Sequence, residues 1–346
     1  MQLTPFQLET AVIAIRTVLP LEFPADAILR RFFRENPMLG AQDRAFIAET
    51  VFGILRHRFF LESLAEITTP RALVLAYLIK FQGMNMREIT SFISESETKW
   101  LAEIKAIKLD TLPLNIQAEF PEWLIEKLKH FMSDAEILNL GFSLQKSASL
   151  DLRVNTFLTK RNQVLEILGQ EGIAAHETPY SPCGIRLAGK PAINRHPLFL
   201  SGKIEVQDEG SQLLGYLLAP KRGEMVVDFC AGAGGKSLLL GALMNSQGRL
   251  YAFDVSEKRL SNMKPRFKRS GLSNLHAQRI THENDIKVRR LIGKIDRVLV
   301  DAPCSGLGTL RRNPDLKWRQ SPQSIQELTA KQTAILSAAA SLLKPG

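Results

Sequence analysis

The stretch MVVDFCAGAGGKS, residues 225–237, decides the fold. Its first part, MVVDFC, is a short apolar run typical of a buried strand, and KSLLLGALM after the glycines is apolar enough for a buried helix. A strand that leads through glycines into a helix is typical of a parallel sheet, which binds ligands at the carboxyl ends of its strands. Gly232, Gly234 and Gly235 would let the backbone approach such a ligand closely and leave the helix N-terminal amides free.

Two common glycine motifs do not fit this loop. A P-loop requires a glycine five positions before Gly235, where this chain has Cys230, and the dinucleotide fingerprint requires a third glycine where Ser237 stands. Asp254 ends the next apolar run, about twenty residues further on, and a carboxylate at that distance reaches a ribose diol in such folds. The spacing predicts a nucleoside cofactor, and the alternative is an aspartate that caps the following helix.

From about residue 200, apolar runs alternate regularly with helical stretches. The strands MVVDFC, RLYAFDV, LHAQRI and DRVLVDAP predict an α/β fold over residues 201–346, a doubly wound, Rossmann-like parallel sheet. Residues 145–200 contain short strands and one helix and predict a small α+β subdomain. Residues 1–140 have helical spacing throughout, and Thr4-Pro5 and Thr69-Pro70 have the pattern of a cap followed by a first-turn proline.

The composition favours a polyanionic partner. The chain has 346 residues, with 45 lysines and arginines against 35 aspartates and glutamates, a formal net charge of +10. No apolar run approaches the roughly 20 residues of a membrane span, and the first residues lack a signal-peptide pattern, so we expect a cytoplasmic protein without a membrane partner. Cys183, Cys230 and Cys304 are far apart and predict neither a disulfide framework nor a metal site.

Six motifs, in this order, resemble those of the RsmB-like (Sun/Fmu) family of RNA cytosine-5 methyltransferases. They are RVNTF (residues 153–157), VQDEGSQL (206–213), DFCAGAGGKS (228–237), FDVSEKRL (253–260), DAPCSGLGTLRRNPDLKW (301–318) and LLKPG (342–346). The stretch LRRFFRENPMLGAQDRAFIAETVFGILR is similar to the family's NusB-like, RNA-binding helical domain. The resemblance implies S-adenosyl-L-methionine as cofactor, ribosomal RNA (16S in particular) as substrate, and cytosine C5 as the methylated atom.

The resemblance also implies which residues bind the cofactor. The glycine loop would surround its methionine part with Cys230, Ala231, Gly232, Ala233, Gly234, Gly235 and Lys236. Asp254 would bind the ribose hydroxyl groups, and Asp301 would lie beside both the cofactor and the target base. The family has Gly-Asp after the third strand, whereas this chain has ITHENDIK. Asp285 is therefore the preferred third cofactor residue, with His282 and Glu283 as alternatives.

Two thiols take part in the reaction that the resemblance implies. One adds as a thiolate to C6 of cytosine, which makes C5 nucleophilic, and protonation of N3 by Asp301 supports that addition. In the family the attacking thiol lies in a Thr-Cys motif after Lys-Pro-Gly, and the Pro-Cys thiol, here Cys304, helps release the product. Because the sequence ends at Gly346, we expect Cys304 to be the release thiol and these residues to be a fragment that is inactive in methyl transfer. Taken alone, Cys304 would be read as a turn cysteine packed beneath a helix.

Basic and polar residues near two of the motifs are candidates for RNA contact. They are Arg311, Arg312, Lys317, Trp318, Arg319, Arg153 and Asn155. An indole among cations suits base stacking next to phosphate contacts. We expect a monomer that binds ribosomal RNA. The alternative is a non-catalytic RNA-binding protein that acts through its helical domain in ribosome assembly or transcription antitermination.

Overall fold

The structure is a computed structural model that describes residues 3–64 and 69–345. The chain divides into two compact units. The first comprises Met1–Ala148 with Ser305–Ile325, and the second comprises Ser149–Cys304 with Gln326–Gly346. The boundaries expected from the sequence, near residues 140 and 200, do not anticipate that the segment after Cys304 belongs to the same unit as the N-terminal helices.

The described part of the first unit is helical. Its helices are α1 (Pro5–Val18), α2 (Ala25–Glu35), α3 (Ala41–Arg56), α4 (Arg58–Ser63), α5 (Pro70–Lys80), α6 (Met86–Ile89), α7 (Glu95–Ala106), α8 (Leu114–Ala118), α9 (Glu122–Lys129), α10 (Asp134–Gln145) and, later in the chain, α17 (Leu316–Arg319). Single 3-10 turns lie at Thr90–Phe92, Leu109–Thr111 and Leu307–Thr309. The predicted caps are confirmed, because the hydroxyl groups of Thr4 and Thr69 accept from backbone amides in the first turns of α1 and α5.

Two apolar cores hold this unit together. The larger one joins α1 to α7 through fully buried residues such as Leu8, Ile15 and Ile54. The smaller one packs Phe120 and Ile137 against Leu310, which comes from the segment after the Pro-Cys motif at 303–304. That segment is therefore part of the helical unit's interior.

The second unit begins with a small antiparallel sheet. Its strands are β1 (Leu150–Val154), β2 (Ala175–Glu177), β3 (Gly184–Leu187) and β4 (Ile204–Val206), in the order β2-β3-β1-β4. The helices α11 (Arg161–Gln170) and α12 (Pro197–Leu200) lie between them in sequence. This is the predicted α+β segment, with a core that includes Leu152, Val164 and Ile185.

A parallel sheet forms the rest of the second unit. Its strands are β5 (Met225–Asp228), β6 (Arg249–Asp254), β7 (Leu275–Arg279) and β8 (Arg297–Leu299), in the order β7-β6-β5-β8. The helices are α13 (Glu209–Leu218), α14 (Gly235–Leu243), α15 (Glu257–Ser270), α16 (Ile286–Arg289) and α18 (Pro322–Ala340). The predicted α/β fold is confirmed. The strand order reverses at β5, and in such sheets ligands bind outside the carboxyl ends of the strands at that point.

The residues that lead into β8 have backbone partners on both sides. Asp296 donates its N–H to Met225 on the β5 side, whereas the preceding Ile295 donates to Leu342 on the other side. A parallel bridge joins Ile295 to Leu343. Residues 342–344 thus lie beside the residues that lead into β8. Among the described residues, no helix is both long and apolar enough to cross a bilayer.

Candidate active site

A cavity lies at the carboxyl ends of the four parallel strands. Its volume is about 680 Å³, within the roughly 300–1,000 Å³ of small-molecule sites. It is lined by Phe229, Cys230, Ala231, Gly232, Ala233, Asp254, Val255, Arg259, Ile280, Thr281, His282, Glu283, Asp301, Ala302, Pro303, Cys304, Lys331 and Ile335. The predicted glycine loop, the acid after β6 and the Pro-Cys loop thus border one space.

The glycine loop adopts a backbone conformation that needs its glycines. Gly232 and Gly234 have φ angles of 57° and 81°, in the region that side chains disfavour. No atom lies within 4 Å of where a Cβ on Gly232 would stand, whereas a Cβ on Gly234 would lie 2.5 Å from Cγ of Met263 on α15. Gly232 therefore leaves open space beside the cavity, and Gly234 allows close packing of two helices.

Asp254 connects the end of β6 to the glycine loop. Its buried carboxylate accepts from the N–H of Gly232 at 2.8 Å and from the N–H of Ser256 at 2.7 Å. The N-cap of α15 is Ser256, whose hydroxyl group accepts from Arg259. Asp254 thus orders the loop and the turn before the helix, and it also faces the cavity. Its predicted ribose contact stays a prediction.

In the loop after β7, the cavity is lined by the two alternatives of the prediction and not by the preferred Asp285. His282 and Glu283 line the cavity, whereas Asp285 is absent from the described lining residues. The carboxylate of Asp285 caps α16 and accepts from Lys287 and Thr281, and these hydrogen bonds lower its pKa to about 2. We therefore revise the preference for Asp285, because its carboxylate is used within its own turn.

The loop after β8 brings Asp301 and Cys304 to the cavity. The ammonium group of Lys236 donates to the Asp301 carboxylate at 2.6 Å, an ion pair that the sequence did not predict. Gln332 on α18 donates to the carbonyl group of Pro303 at 2.8 Å. The loop after β8 is thereby connected to the glycine loop on one side and to α18 on the other.

The three thiols of the chain differ in environment. Cys183 is buried in the turn before β3, in the apolar core beside the antiparallel sheet, and Cys304 is exposed. Burial raises the pKa of Cys230 to about 12, and the nearby carboxylates of Asp228 and Asp254 act in the same direction. Because the thiolate is the nucleophilic form, Cys230 is a poor nucleophile at neutral pH. Cys304 is the thiol that combines exposure with a place on the cavity wall.

Asp228 is a buried acid beneath the glycine loop that the sequence did not single out. It ends β5 with 1% of its surface exposed, and its Oδ2 accepts from the hydroxyl group of Ser237 at 2.7 Å. Its Oδ1 has no hydrogen-bond partner in the described protein. Burial raises the pKa of Asp228 to about 6. The apolar run MVVDFC predicted a buried strand, but it gave no indication that its acid has a strongly raised pKa.

Lys317 points into the helical unit. Only 4% of it is exposed, and its ammonium group donates to the carbonyl oxygens of Arg56 at 2.6 Å and Glu119 at 3.0 Å and to the Glu119 carboxylate at 3.2 Å. The same carboxylate accepts from the amides of Phe59 and Phe60. We correct the predicted RNA contact of Lys317, because its donors are used inside the unit.

The neighbours of Lys317 in the predicted RNA-binding segment also make internal contacts. The indole of Trp318 stacks on Phe59 at a centroid distance of 4.1 Å. Arg311 donates to two carbonyl groups near the end of α10, and Arg319 forms an ion pair with an aspartate four residues before it. Arg312 is half-buried, and Arg319 is exposed. RNA contacts by these four residues stay predictions.

Arg153 and Asn155 of the RVNTF motif are buried in the second unit. Arg153 donates to the carbonyl oxygen of Gly235, and the amide of Asn155 donates to those of Gly202 and Ser270. Both residues are less than 5% exposed. We correct their predicted RNA contacts too, since both side chains bind this chain's own backbone.

Comparison with known proteins identifies the family. A family model for the 16S rRNA methyltransferase RsmB/F matches residues 215–346, and one for the ferredoxin-like domain of RsmF/B-like methyltransferases matches residues 120–194. The chain is 30% identical over 375 residues to the "Probable ribosomal RNA small subunit methyltransferase B" of Synechocystis, covering 98% of this chain and 83% of that protein. It is 26% identical over 364 residues to the Bacillus subtilis protein of the same name, covering 93% of this chain and 78% of that one.

Solved structures agree with these sequence relatives. The crystal structure of PH0851 matches with a TM-score of 0.79 at 26% identity, covering all of this chain and 85% of that one. A methyltransferase homolog from Pyrococcus horikoshii matches with a TM-score of 0.61 at 26% identity, covering 69% of this chain and 75% of that one. The family inferred from the motifs is confirmed: the chain belongs to the RsmB/F family of 16S rRNA methyltransferases.

Proposed function

We propose that this protein binds S-adenosyl-L-methionine in the cavity and methylates C5 of a cytidine in 16S ribosomal RNA. The observation that carries the proposal is the cavity itself, which brings the glycine loop, Asp254 and residues 301–304 to the ends of one parallel sheet. The names of the relatives, which refer to ribosomal RNA of the small subunit, support the choice of substrate. A cytoplasmic, monomeric protein stays our expectation.

The residues of the cavity fit a nucleoside cofactor with an amino-acid tail. Gly232 leaves an open cradle that a side chain would fill, and the N-terminus of α14, capped by Gly234 without a side-chain bond, suits an anionic carboxylate. Asp254 would accept hydrogen bonds from ribose hydroxyl groups, and Val255, Ile280 and Ile335 supply apolar walls. When bound, S-adenosyl-L-methionine supplies an electrophilic methyl group.

Asp301 and Cys304 would act on the target base. A carboxyl group at Asp301 can exchange a proton with N3 of cytosine while C6 accepts a thiolate. Cys304, exposed on the same loop, would help break down the adduct after C5 has been methylated. The adduct itself requires an attacking thiol, and Cys230 is unsuited to this because its pKa is raised to about 12. We therefore assign the attack to a further cysteine, in the Thr-Cys motif that the family places after Lys-Pro-Gly.

Transfer of tritium from labelled S-adenosyl-L-methionine into 16S rRNA tests this function. A polypeptide of these 346 residues should bind the cofactor in calorimetry but transfer no label, whereas one extended through a Thr-Cys motif should produce 5-methylcytidine in nuclease digests. Transfer by the 346-residue polypeptide would make Cys304 the nucleophile. Label on another base or another atom would contradict the proposed specificity.

Two matched thiol variants of the extended chain test the role of Cys304. Cys304→Ala should stop turnover and accumulate a covalent protein–RNA adduct that resists denaturing electrophoresis. Cys183→Ala, which removes a buried thiol away from the cavity, should keep turnover. Loss of activity without any adduct in Cys304→Ala would contradict a release role.

A further inference from the structure

Two arginines donate hydrogen bonds to carbonyl groups of the glycine loop. Arg266 on α15 donates from Nη1 to the carbonyl oxygen of Ala233 at 2.7 Å, and Arg153 on β1 donates from Nη1 to that of Gly235 at 2.6 Å. We propose that Arg153 and Arg266 are positioning residues that hold the loop backbone in its binding conformation before the cofactor arrives. The proposal rests on the function proposed above for that loop.

Strand β4 and the residue after it orient both guanidinium groups. The Glu205 carboxylate accepts from Nε and Nη2 of Arg266 at 3.0 and 2.8 Å and from Nη2 of Arg269 at 2.5 Å. Directly after the strand, Gln207 accepts from Nη1 of Arg153 at 2.8 Å. Nε and Nη2 of Arg266 form one edge of its guanidinium group, and both donate to Oε2 of Glu205. An acceptor shared by the two nitrogens of one edge orients the plane of the group, which a lysine at the same place would not allow.

The burial of the charged groups of Arg153 and Glu205 indicates that their hydrogen bonds have a structural role. Arg153 and Glu205 are each 3% exposed, and charged side chains are rarely buried to that degree unless they are paired. Burial lowers the pKa of Arg153 to about 10, so the guanidinium group keeps its charge at neutral pH. Each cation bonds both to the loop and to an acceptor on β4 or directly after it, so this segment supports the loop through the two arginines.

The loop is held at three successive points. Asp254 binds the N–H of Gly232 from the end of β6, while the two arginines bind the carbonyl groups of Ala233 and Gly235. In a trans peptide the C=O and the N–H of the next residue point to opposite sides. Fixing these carbonyl groups therefore fixes the direction of the amides that follow, including that of Lys236 at the start of α14.

A loop of this composition needs such support. Glycine loses more conformational freedom on ordering than any other residue, and three of the four residues 232–235 are glycines. A loop that is ordered before binding spares the ligand that entropic cost. The antiparallel sheet thus contributes to cofactor affinity through β1 and β4, although its own residues do not line the cavity among the described residues.

Hydrogen exchange of the cofactor-free protein tests the proposal, with peptides that cover residues 230–237. The amides of the wild-type loop should already be protected, and Arg266→Lys and Arg153→Lys should each exchange about tenfold faster there and bind S-adenosyl-L-methionine about tenfold more weakly. Arg186→Lys is the matched control. Arg186 lies on β3 of the same sheet and pairs with Asp151 at 2.8 Å, so its variant should leave loop exchange and affinity unchanged.

The outcomes separate this inference from the proposed function. A wild-type loop that exchanges as fast as an unstructured peptide would overturn the inference without any variant, as would folded Arg266→Lys protein with unchanged loop exchange. Equal effects in Arg186→Lys would also overturn it, because they would indicate a general loss of stability. If the wild-type protein binds no S-adenosyl-L-methionine but its loop is protected, the proposed function fails and the positioning role stands.

Discussion

The cavity of the second unit and the interior of the first unit both contain charged side chains, but they use them differently. Around the cavity, Asp254 and Asp301 each have a partner and still face open space. In the helical unit, Lys317 and Glu119 are both buried and use their hydrogen-bonding groups on each other and on the backbone. The comparison teaches that a charged side chain indicates a binding site when it is paired but still faces a cavity. A charged side chain whose partners are all inside the protein stabilises the fold instead.

The largest effect should come from breaking the buried pair. Lys317→Met leaves the Glu119 carboxylate buried without its cation, so the free energy of unfolding should fall by about 3–5 kcal/mol in denaturant titrations. The double variant Lys317→Met/Glu119→Gln should recover part of that loss. Arg30→Met, which breaks an exposed pair with Asp26 on α2, should cost less than about 1 kcal/mol. A loss in Lys317→Met no larger than in this control would contradict a structural role.

The second-largest effect should be a pH dependence of the free energy of unfolding that comes from Asp228, the acid beneath the glycine loop. Burial raises the pKa of Asp228 to about 6, whereas an aspartate in an unfolded chain has a pKa of about 3.9. Between those values the folded protein keeps a proton that the unfolded chain has lost, so the Asp228 contribution to stability falls as pH rises. The fall should total about 3 kcal/mol from about pH 4 to pH 6 and then level off.

Asp228→Asn should remove this pH dependence and keep the bond with Ser237. The stability of the variant relative to the wild type should therefore rise between pH 4 and pH 6 in denaturant titrations. Asp285→Asn is the control with the opposite sign, because the pKa of Asp285 is lowered to about 2 and its contribution is lost as pH falls. A pH-independent difference between Asp228→Asn and the wild type would contradict the burial argument.

The smallest effect should appear in cofactor binding. Asp254→Asn keeps an acceptor for the N–H of Gly232 but loses the charge, so affinity for S-adenosyl-L-methionine should fall by more than about 1 kcal/mol in calorimetry. Glu257→Gln removes a nearby exposed carboxylate from the first turn of α15 and should leave affinity unchanged. Equal affinities for Asp254→Asn and the wild type would exclude a charged contact with the ribose.

The sequence predicted the features that depend on local pattern. The alternation of apolar strand-like runs with helical stretches predicted the parallel sheet. Because Asp254 and Asp301 come at the ends of two strands, both acids were expected at the carboxyl edge of that sheet. The features that depend on distant partners could not be predicted. Lys317 is buried because of Glu119, 198 residues earlier, and Arg153 because of Gly235, 82 residues later. In the loop after β7, backbone turns decide that Asp285 accepts from the amides of Thr281 and Lys287 while His282 faces the cavity.

The close approach of Gly234 to Met263 has an evolutionary consequence. A residue with a side chain at position 234 would meet the methionine as well as an unfavourable backbone angle, so two independent penalties oppose any single substitution there. A substitution at position 234 becomes tolerable only when a smaller residue replaces Met263 at the same time and the new residue accepts a left-handed backbone conformation, as asparagine does. Descendants of this chain that lose the glycine should therefore carry correlated changes at both sites.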